Sequence, residues 1–122
     1  MKKKILIVED DLDMQDLYQA VLRKDFEAIP ATTGKEAVDL AVAEVPDLIL
    51  MDIIMPDMGG LEALKLIKEN PAATTIPVIL LSALGTHEDI RRGYSMGANY
   101  YITKPFTRNE LLNGIKLCLG EQ

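Results

Sequence analysis

The chain has 122 residues, a formal net charge of −6 at pH 7, and 48% hydrophobic and 26% charged residues, which is typical of one globular domain and not of a disordered chain. The negative charge disfavours direct binding to the phosphate backbone of nucleic acid, and no apolar run approaches the roughly 18 residues of a membrane span. The single cysteine excludes an internal disulfide, so we expect one cytoplasmic domain over residues 1–122 that contacts neither membrane nor nucleic acid.

The first predicted strand, residues 5–8, is a run of apolar residues without alternation, which is typical of a strand buried on both faces. A helix is predicted after it, because apolar residues recur at the spacing of one helix face. This stripe comprises Met14, Leu17, Tyr18, Val21 and Leu22. A weaker strand at 26–29 contains Glu27 and therefore fits the edge of a sheet better than its centre.

The middle of the chain continues the alternation of strand and helix. Apolar runs predict two more buried strands at 48–51 and 78–81. Helical spacing predicts helices at 34–44, 60–69 and 87–96. Glycine and proline fall between these elements, with no internal repeat and no long flexible linker.

The last two predicted elements are a second edge strand at 100–102 and a helix with an apolar stripe. The stripe comprises Leu111, Leu112, Ile115, Cys118 and Leu119. Two helix starts match the capping box, in which a threonine and a glutamate three residues later satisfy each other's backbone N–H groups. The matches lie at residues 33–36 and 107–110.

Five strands that alternate with five helices over short connections predict a parallel sheet covered by helices on both faces, a three-layer α/β fold. Right-handed crossovers leave few arrangements of such strands, and we expect the order 2-1-3-4-5. The ligand crevice of such a sheet lies beyond the carboxyl ends of the strands, where the direction of winding reverses. Here that point falls between strands 1 and 3.

Polar residues that follow the strands converge on this crevice. Asp10 and Asp52 follow neighbouring strands about 4.8 Å apart, with Glu9 beside them, so their carboxylates repel unless a proton or a cation joins them. An all-oxygen cluster suits Mg²⁺, while Ser82 and Lys104 add a hydroxyl and an ammonium group that suit a phosphoryl group. Asp52 is the best candidate nucleophile, because a carboxylate in such a pocket can attack phosphorus and form an acyl phosphate.

Four short segments together resemble the landmarks of the response-regulator receiver domains of two-component signalling systems, and the resemblance spans the whole chain. They are Ile7-Val8-Glu9-Asp10-Asp11, Met51-Asp52-Ile53-Ile54-Met55-Pro56, Leu81-Ser82-Ala83 and Lys104-Pro105-Phe106. The resemblance implies a flavodoxin-like fold and a phosphoprotein whose Asp52 accepts phosphate from a histidine kinase or a phosphotransfer protein. Such a chain is a switch and not an enzyme, and it catalyses at most its own phosphorylation and dephosphorylation.

The resemblance also implies roles for individual residues at the crevice. Asp10, Asp52 and the backbone carbonyl of Ile54 would bind Mg²⁺, for which Mn²⁺ could substitute. Glu9 would assist through a water molecule. Lys104 would contact the phosphoryl oxygens and form a cis peptide bond with the proline after it.

The resemblance implies that two further residues act as the switch. Ser82 would shift to hydrogen-bond the phosphoryl group, and Tyr101 would then swing inward. The surface formed by helix 4, strand 5 and helix 5 would change its affinity for an output partner that the sequence does not identify. The chain departs from the usual family pattern at Glu9, where aspartate is commoner, at Ser82, where threonine is frequent, and at residues 57–60, which read Asp-Met-Gly-Gly.

Three other functions fit the residues less well. A phosphohydrolase resembling the haloacid dehalogenases would need a second aspartate where Ile54 stands, together with a substantial cap. A nucleotide- or flavin-binding module would need a glycine- or hydroxyl-rich loop after strand 1. A degenerate receiver that acts only as a docking module would be expected to lack one of Asp10, Asp52 and Lys104, and all three are present. The sequence leaves open whether the chain is a stand-alone regulator or a part of a longer protein.

Overall fold

The computed structural model describes residues 2–120, so Met1, Glu121 and Gln122 of the predicted unit lie outside the described residues. The strands form one sheet in the order β2-β1-β3-β4-β5, and every neighbouring pair is parallel. They are β1 (Lys3–Val8), β2 (Phe26–Ala31), β3 (Leu48–Asp52), β4 (Val78–Ser82) and β5 (Tyr100–Thr103). The predicted strand order and the two predicted edge strands are confirmed.

Helices alternate with the strands and cover both faces of the sheet. They are α1 (Leu12–Leu22), α2 (Gly34–Glu44), α3 (Gly60–Glu69), α4 (His87–Ser95) and α5 (Arg108–Cys118). Alternate strand residues point into two apolar cores, so that Leu6 and Val8 pack with α2 and α3 while Ile5 and Ile7 pack with α1 and α5. The three-layer prediction is therefore confirmed. Within residues 2–120, no helix has both the length and the apolar character needed to cross a membrane.

The buried face of α1 is rotated from the predicted apolar stripe. Of the stripe residues Tyr18 and Leu22 are buried, but Leu17 is 53% exposed, whereas Gln15 outside the stripe is only 3% exposed. Positions 15, 18 and 22 follow the helical spacing as well as the apolar residues do, so spacing alone could not distinguish the two faces. Leu17 therefore lies at the solvent side of the stripe, while the polar side chain of Gln15 finds hydrogen-bond partners in the protein interior.

The capping box forms in full at only one of its two predicted positions. At the start of α5, Thr107 and Glu110 each accept a hydrogen bond from the other's backbone N–H. At the start of α2, Thr33 accepts from the N–H of Glu36 at 3.0 Å. The Glu36 carboxylate, however, accepts from the N–H of Thr32 at 2.8 Å, one residue earlier than the box requires. The capping box predicted at residues 33–36 is therefore half formed.

The residue after α2, Val45, adopts left-handed backbone angles of φ 42° and ψ 64°, which strain a β-branched side chain. It is 53% exposed, so little packing opposes a change. We expect Val45→Asn to raise the free energy of unfolding, measured by urea denaturation, by about 1 kcal/mol, because asparagine adopts this conformation more readily. The control is Val42→Asn, which changes an exposed valine inside the helix and should give no gain. A gain at both positions, or at neither, would argue against strain at Val45.

Candidate functional site

Three acidic residues meet at the edge of the sheet where β1 and β3 end side by side. Val8 is in register with Met51, so Glu9 and Asp52 follow as neighbours, with Asp10 next along the chain. One carboxylate oxygen from each of the three acidic residues lies within 4.8 Å of the other two. The structure thus brings together the three carboxylates that the sequence placed at the crevice.

Glu9 and Asp52 are buried, at 2% and 8% exposure, while Asp10 is more open to solvent. The pKa of the Glu9 carboxyl is raised from 4.5 to about 7, and burial is the largest cause. The Asp52 carboxylate also raises this pKa, while the Asp11 N–H and the Lys104 ammonium group lower it. Oε2 of Glu9 accepts a hydrogen bond from the Asp11 N–H at 3.2 Å. Its buried Oε1 finds no hydrogen-bond partner in the described chain, although the Lys104 ammonium group lies at ion-pair distance from it.

Lys104 brings positive charge to the cluster from the β5 side. Its Nζ lies 3.7 Å from Glu9 Oε1 and 3.6 Å from Asp52 Oδ1. The backbone N–H of Lys104 donates to the carbonyl of Ser82 at 2.8 Å, which ties the lysine to the end of β4. The bond between Lys104 and Pro105 is cis, as the resemblance implied.

An open cleft of about 320 Å³ gives solvent access to the cluster. Its lining comprises Glu9, Asp10, Asp11, Met14, Asp52, Ile54, Ala83 and Lys104. Ile54 lies at the rim with its side chain 60% exposed. Asp11 instead caps α1, because its carboxylate accepts from the backbone N–H groups of Asp13 and Met14. The site acids are therefore Glu9, Asp10 and Asp52.

Ser82 and Tyr101 are connected through one residue of the loop after β4. Ser82 is 1% exposed, and its Oγ accepts a hydrogen bond from the N–H of Leu84 at 3.0 Å. The Tyr101 hydroxyl donates to the carbonyl of the same Leu84. Tyr101 is 8% exposed and packs in the apolar core that contains Leu6 and Val8. The sequence did not indicate this link, because it runs through backbone atoms.

Two residues that hold the site in place were not identified from the sequence. The Gln15 amide donates to backbone carbonyls at the ends of β1 and β2. Gly60 lets α3 approach the end of β3 so closely that a Cβ there would lie 2.2 Å from the Asp52 carbonyl oxygen. A glutamine next to an apolar stripe and a pair of glycines after the third strand were the available sequence signals.

The acidic cluster has the chemistry of a site for a hard divalent cation. Carboxylate oxygens are the ligands that Mg²⁺ prefers in proteins, and Glu9, Asp10 and Asp52 each offer one. Glu9 Oε1 is buried without a hydrogen-bond partner in residues 2–120, and a cation would compensate its charge. These three residues could therefore hold a metal ion.

The fold and the cleft define a class: a doubly wound α/β protein with carboxylates and a lysine at the switch point of its sheet. A model of one family of this class, the response regulator receiver domain, matches residues 5–116. The chain belongs to the response regulator receiver domain family.

Individual relatives agree with this assignment. The chain is 38% identical over 116 residues to the chemotaxis protein CheY of Halobacterium salinarum, covering 94% of this chain and 95% of CheY. It is 39% identical over 117 residues to the phosphate regulon transcriptional regulatory protein PhoB of Klebsiella pneumoniae, covering 95% of this chain and 51% of PhoB. The chain therefore spans nearly all of the one relative but about half the length of the other.

Solved structures show the same similarity. A putative response regulator from Chloroflexus aurantiacus has a TM-score of 0.92 at 30% identity, covering 99% of this chain and 100% of that one. The receiver domain of the sensor histidine kinase PA1611 from Pseudomonas aeruginosa has a TM-score of 0.91 at 30% identity, with the same coverage. Both similarities extend over the whole fold.

Proposed function

We propose that this protein is a phosphorylation switch in which Asp52 accepts a phosphoryl group from a histidine kinase or a phosphotransfer protein. The observation that carries the proposal is the place of Asp52 at the end of a buried central strand. Its carboxylate lies 3.6 Å from Lys104 Nζ and within 4.8 Å of carboxylate oxygens of Glu9 and Asp10. Membership of the receiver family supports the same role.

The proposed switch uses Mg²⁺, which Mn²⁺ can replace. We assign Asp10, Asp52 and the carbonyl of Ile54 as its ligands and Glu9 as a ligand through water. The buried Glu9 Oε1, which has no hydrogen-bond partner in the described chain, supports the assignment, as does the PA1611 receiver structure, which has a magnesium ion coordinated in its active site cleft. When bound, the ion neutralises negative charge on the phosphoryl oxygens.

In the proposed reaction a carboxylate oxygen of Asp52 attacks phosphorus, and the bond from phosphorus to the donor breaks with its electron pair leaving on the donor. The product is an acyl phosphate on Asp52. Lys104 neutralises phosphoryl charge and Ser82 donates its hydroxyl, because phosphoryl transfer depends mostly on positioning and electrostatic stabilisation. Attack by water then restores the carboxylate and releases inorganic phosphate, so the chain acts only on its own phosphoryl group.

The proposed signal passes through Leu84. Ser82 Oγ accepts from the Leu84 N–H, so rotation of its hydroxyl toward a phosphoryl group would weaken that bond. The Tyr101 hydroxyl donates a hydrogen bond to the carbonyl of Leu84, so Tyr101 would respond to movement of the loop after β4. The surface of α4, β5 and α5, which includes Tyr101, would then change its affinity for an output partner.

Intact mass after incubation with acetyl phosphate tests the proposed function. We expect one added phosphoryl group on the wild type with Mg²⁺, none when EDTA removes the metal, and none on Asp52→Asn. The control is Asp57→Asn, the same change at an exposed residue of the following turn, which should be phosphorylated like the wild type. A wild type that gains no phosphoryl group and binds no beryllofluoride would contradict the proposal and favour a docking module instead.

A further inference from the structure

The side chain of Gln15 is buried between α1 and the ends of β1 and β2, at 3% exposure. Its Nε2 lies 3.0 Å from the carbonyl oxygen of Ile7, 3.2 Å from that of Ala31 and 3.4 Å from that of Glu9. Its Oε1 accepts from Gln19 Nε2 at 3.2 Å. Burying an amide is costly unless it is hydrogen-bonded, and these contacts satisfy both ends of it.

These contacts hold the backbone of Glu9 from both sides. The Glu9 N–H donates to the Ala31 carbonyl at 3.0 Å, and the Glu9 carbonyl lies within reach of the Gln15 amide. The Ala31 carbonyl also accepts from Gln15, so one side chain joins the ends of two strands. Because β1 ends at Val8, Glu9 and Asp10 lie beyond the regular ladder, on a turn that depends on such contacts.

We infer that Gln15 is a positioning residue for the acidic site, which sets where the carboxylates of Glu9 and Asp10 lie relative to Asp52 and thereby sets the affinity for the divalent cation. The inference rests on the proposed function, in which a cation binds there. Groups that orient metal ligands without touching the metal typically change metal affinity 10- to 100-fold when they are removed. An apolar side chain of the same length would fill the space but leave the three carbonyls without this donor.

The variant Gln15→Met keeps the length of the side chain and removes its amide. We expect Mg²⁺ to bind it about 10-fold more weakly than the wild type, measured at a temperature where denaturation curves show both proteins fully folded. Isothermal titration calorimetry suits the measurement, because the chain has no tryptophan to report binding by fluorescence. The control is Asn113→Leu, which removes an exposed amide of α5; it should bind Mg²⁺ like the wild type.

The two measurements separate a role of Gln15 in stability from a role in positioning. If Gln15 were only structural, its substitution would lower the free energy of unfolding but leave the Mg²⁺ affinity of the folded protein unchanged. Equal affinity of Gln15→Met and the wild type, or an equal loss in both variants, would overturn the inference. If Gln15→Met does not fold, Gln15→Asn replaces it. Its shorter side chain draws the amide back from the carbonyl oxygens of Ile7 and Ala31, so the same loss of Mg²⁺ affinity is expected. A wild type that binds no Mg²⁺ would contradict the proposed metal site itself.

Discussion

Gly60→Ala is expected to lower the free energy of unfolding by about 3 kcal/mol. Gly60 begins α3, and a Cβ at this position would lie 2.2 Å from the carbonyl oxygen of Asp52 and 2.8 Å from the Cα of Ile53. Both are backbone atoms that no side-chain rotation can move away, so α3 or the end of β3 must shift. The glycine is required by the close approach of a helix to a strand.

The neighbouring residue gives a matched control for the Gly60 prediction. A Cβ at Gly59 would lie 3.6 Å from the carbonyl oxygen of Ile53, an ordinary contact. Gly59 is also the N-cap of α3, where a serine hydroxyl accepts from free backbone N–H groups. Gly59→Ser should therefore be at least as stable as the wild type in urea denaturation. Equal stability of Gly60→Ala and the wild type would contradict the expected clash.

The same shift connects the packing of α3 to the site. Asp52 supplies both the carbonyl that Gly60 approaches and the carboxylate beside Lys104. Gly60→Ala should therefore accept phosphate from acetyl phosphate more slowly than the wild type, even at a temperature where it is folded. Gly59→Ser leaves this backbone undisturbed and should react at the wild-type rate.

The sheet and the acidic cluster could be predicted because both depend on residue type. Unbroken apolar runs such as Leu48–Met51 are typical of strands covered on both faces, and parallel strands bring the residues that follow them to one edge. That rule placed Glu9, Asp10 and Asp52 together. The helical spacing alone could not show whether Leu17 or Gln15 lies on the buried face of α1 beside Tyr18 and Leu22, since both positions fit the helical period.

The supporting contacts could not be predicted, because they involve backbone atoms that every residue carries. The Leu84 peptide joins Ser82 to Tyr101 through its N–H and its carbonyl, and any residue at that position offers the same groups. The amide nitrogen of Gln15 likewise donates to backbone carbonyls, which every residue offers. Such contacts depend on the relative placement of elements in three dimensions, which periodicity does not specify.

In EDTA, the free energy of unfolding is expected to fall as the pH rises from 5 to 8. Folding raises the pKa of the Glu9 carboxyl from its ordinary value of 4.5 to about 7, chiefly through burial, so the folded state binds this proton more tightly than the unfolded state does. The resulting stabilisation is fully present below pH 4.5 and is lost as the pH rises through 7. A shift of this size corresponds to roughly 3 kcal/mol at most.

Glu9→Gln isolates this contribution, because glutamine keeps the shape of the side chain and does not titrate. At pH 8 in EDTA we expect the variant to be about 2 kcal/mol more stable than the wild type in urea denaturation, with a flatter pH dependence. Added Mg²⁺ should stabilise the wild type more than the variant, since the cation replaces the proton as the partner of the carboxylates. Glu69→Gln, at the exposed end of α3, is the control for removing one carboxylate from the surface. If the free energy of unfolding of the wild type in EDTA stays level between pH 5 and 8, folding does not raise the pKa of the Glu9 carboxyl.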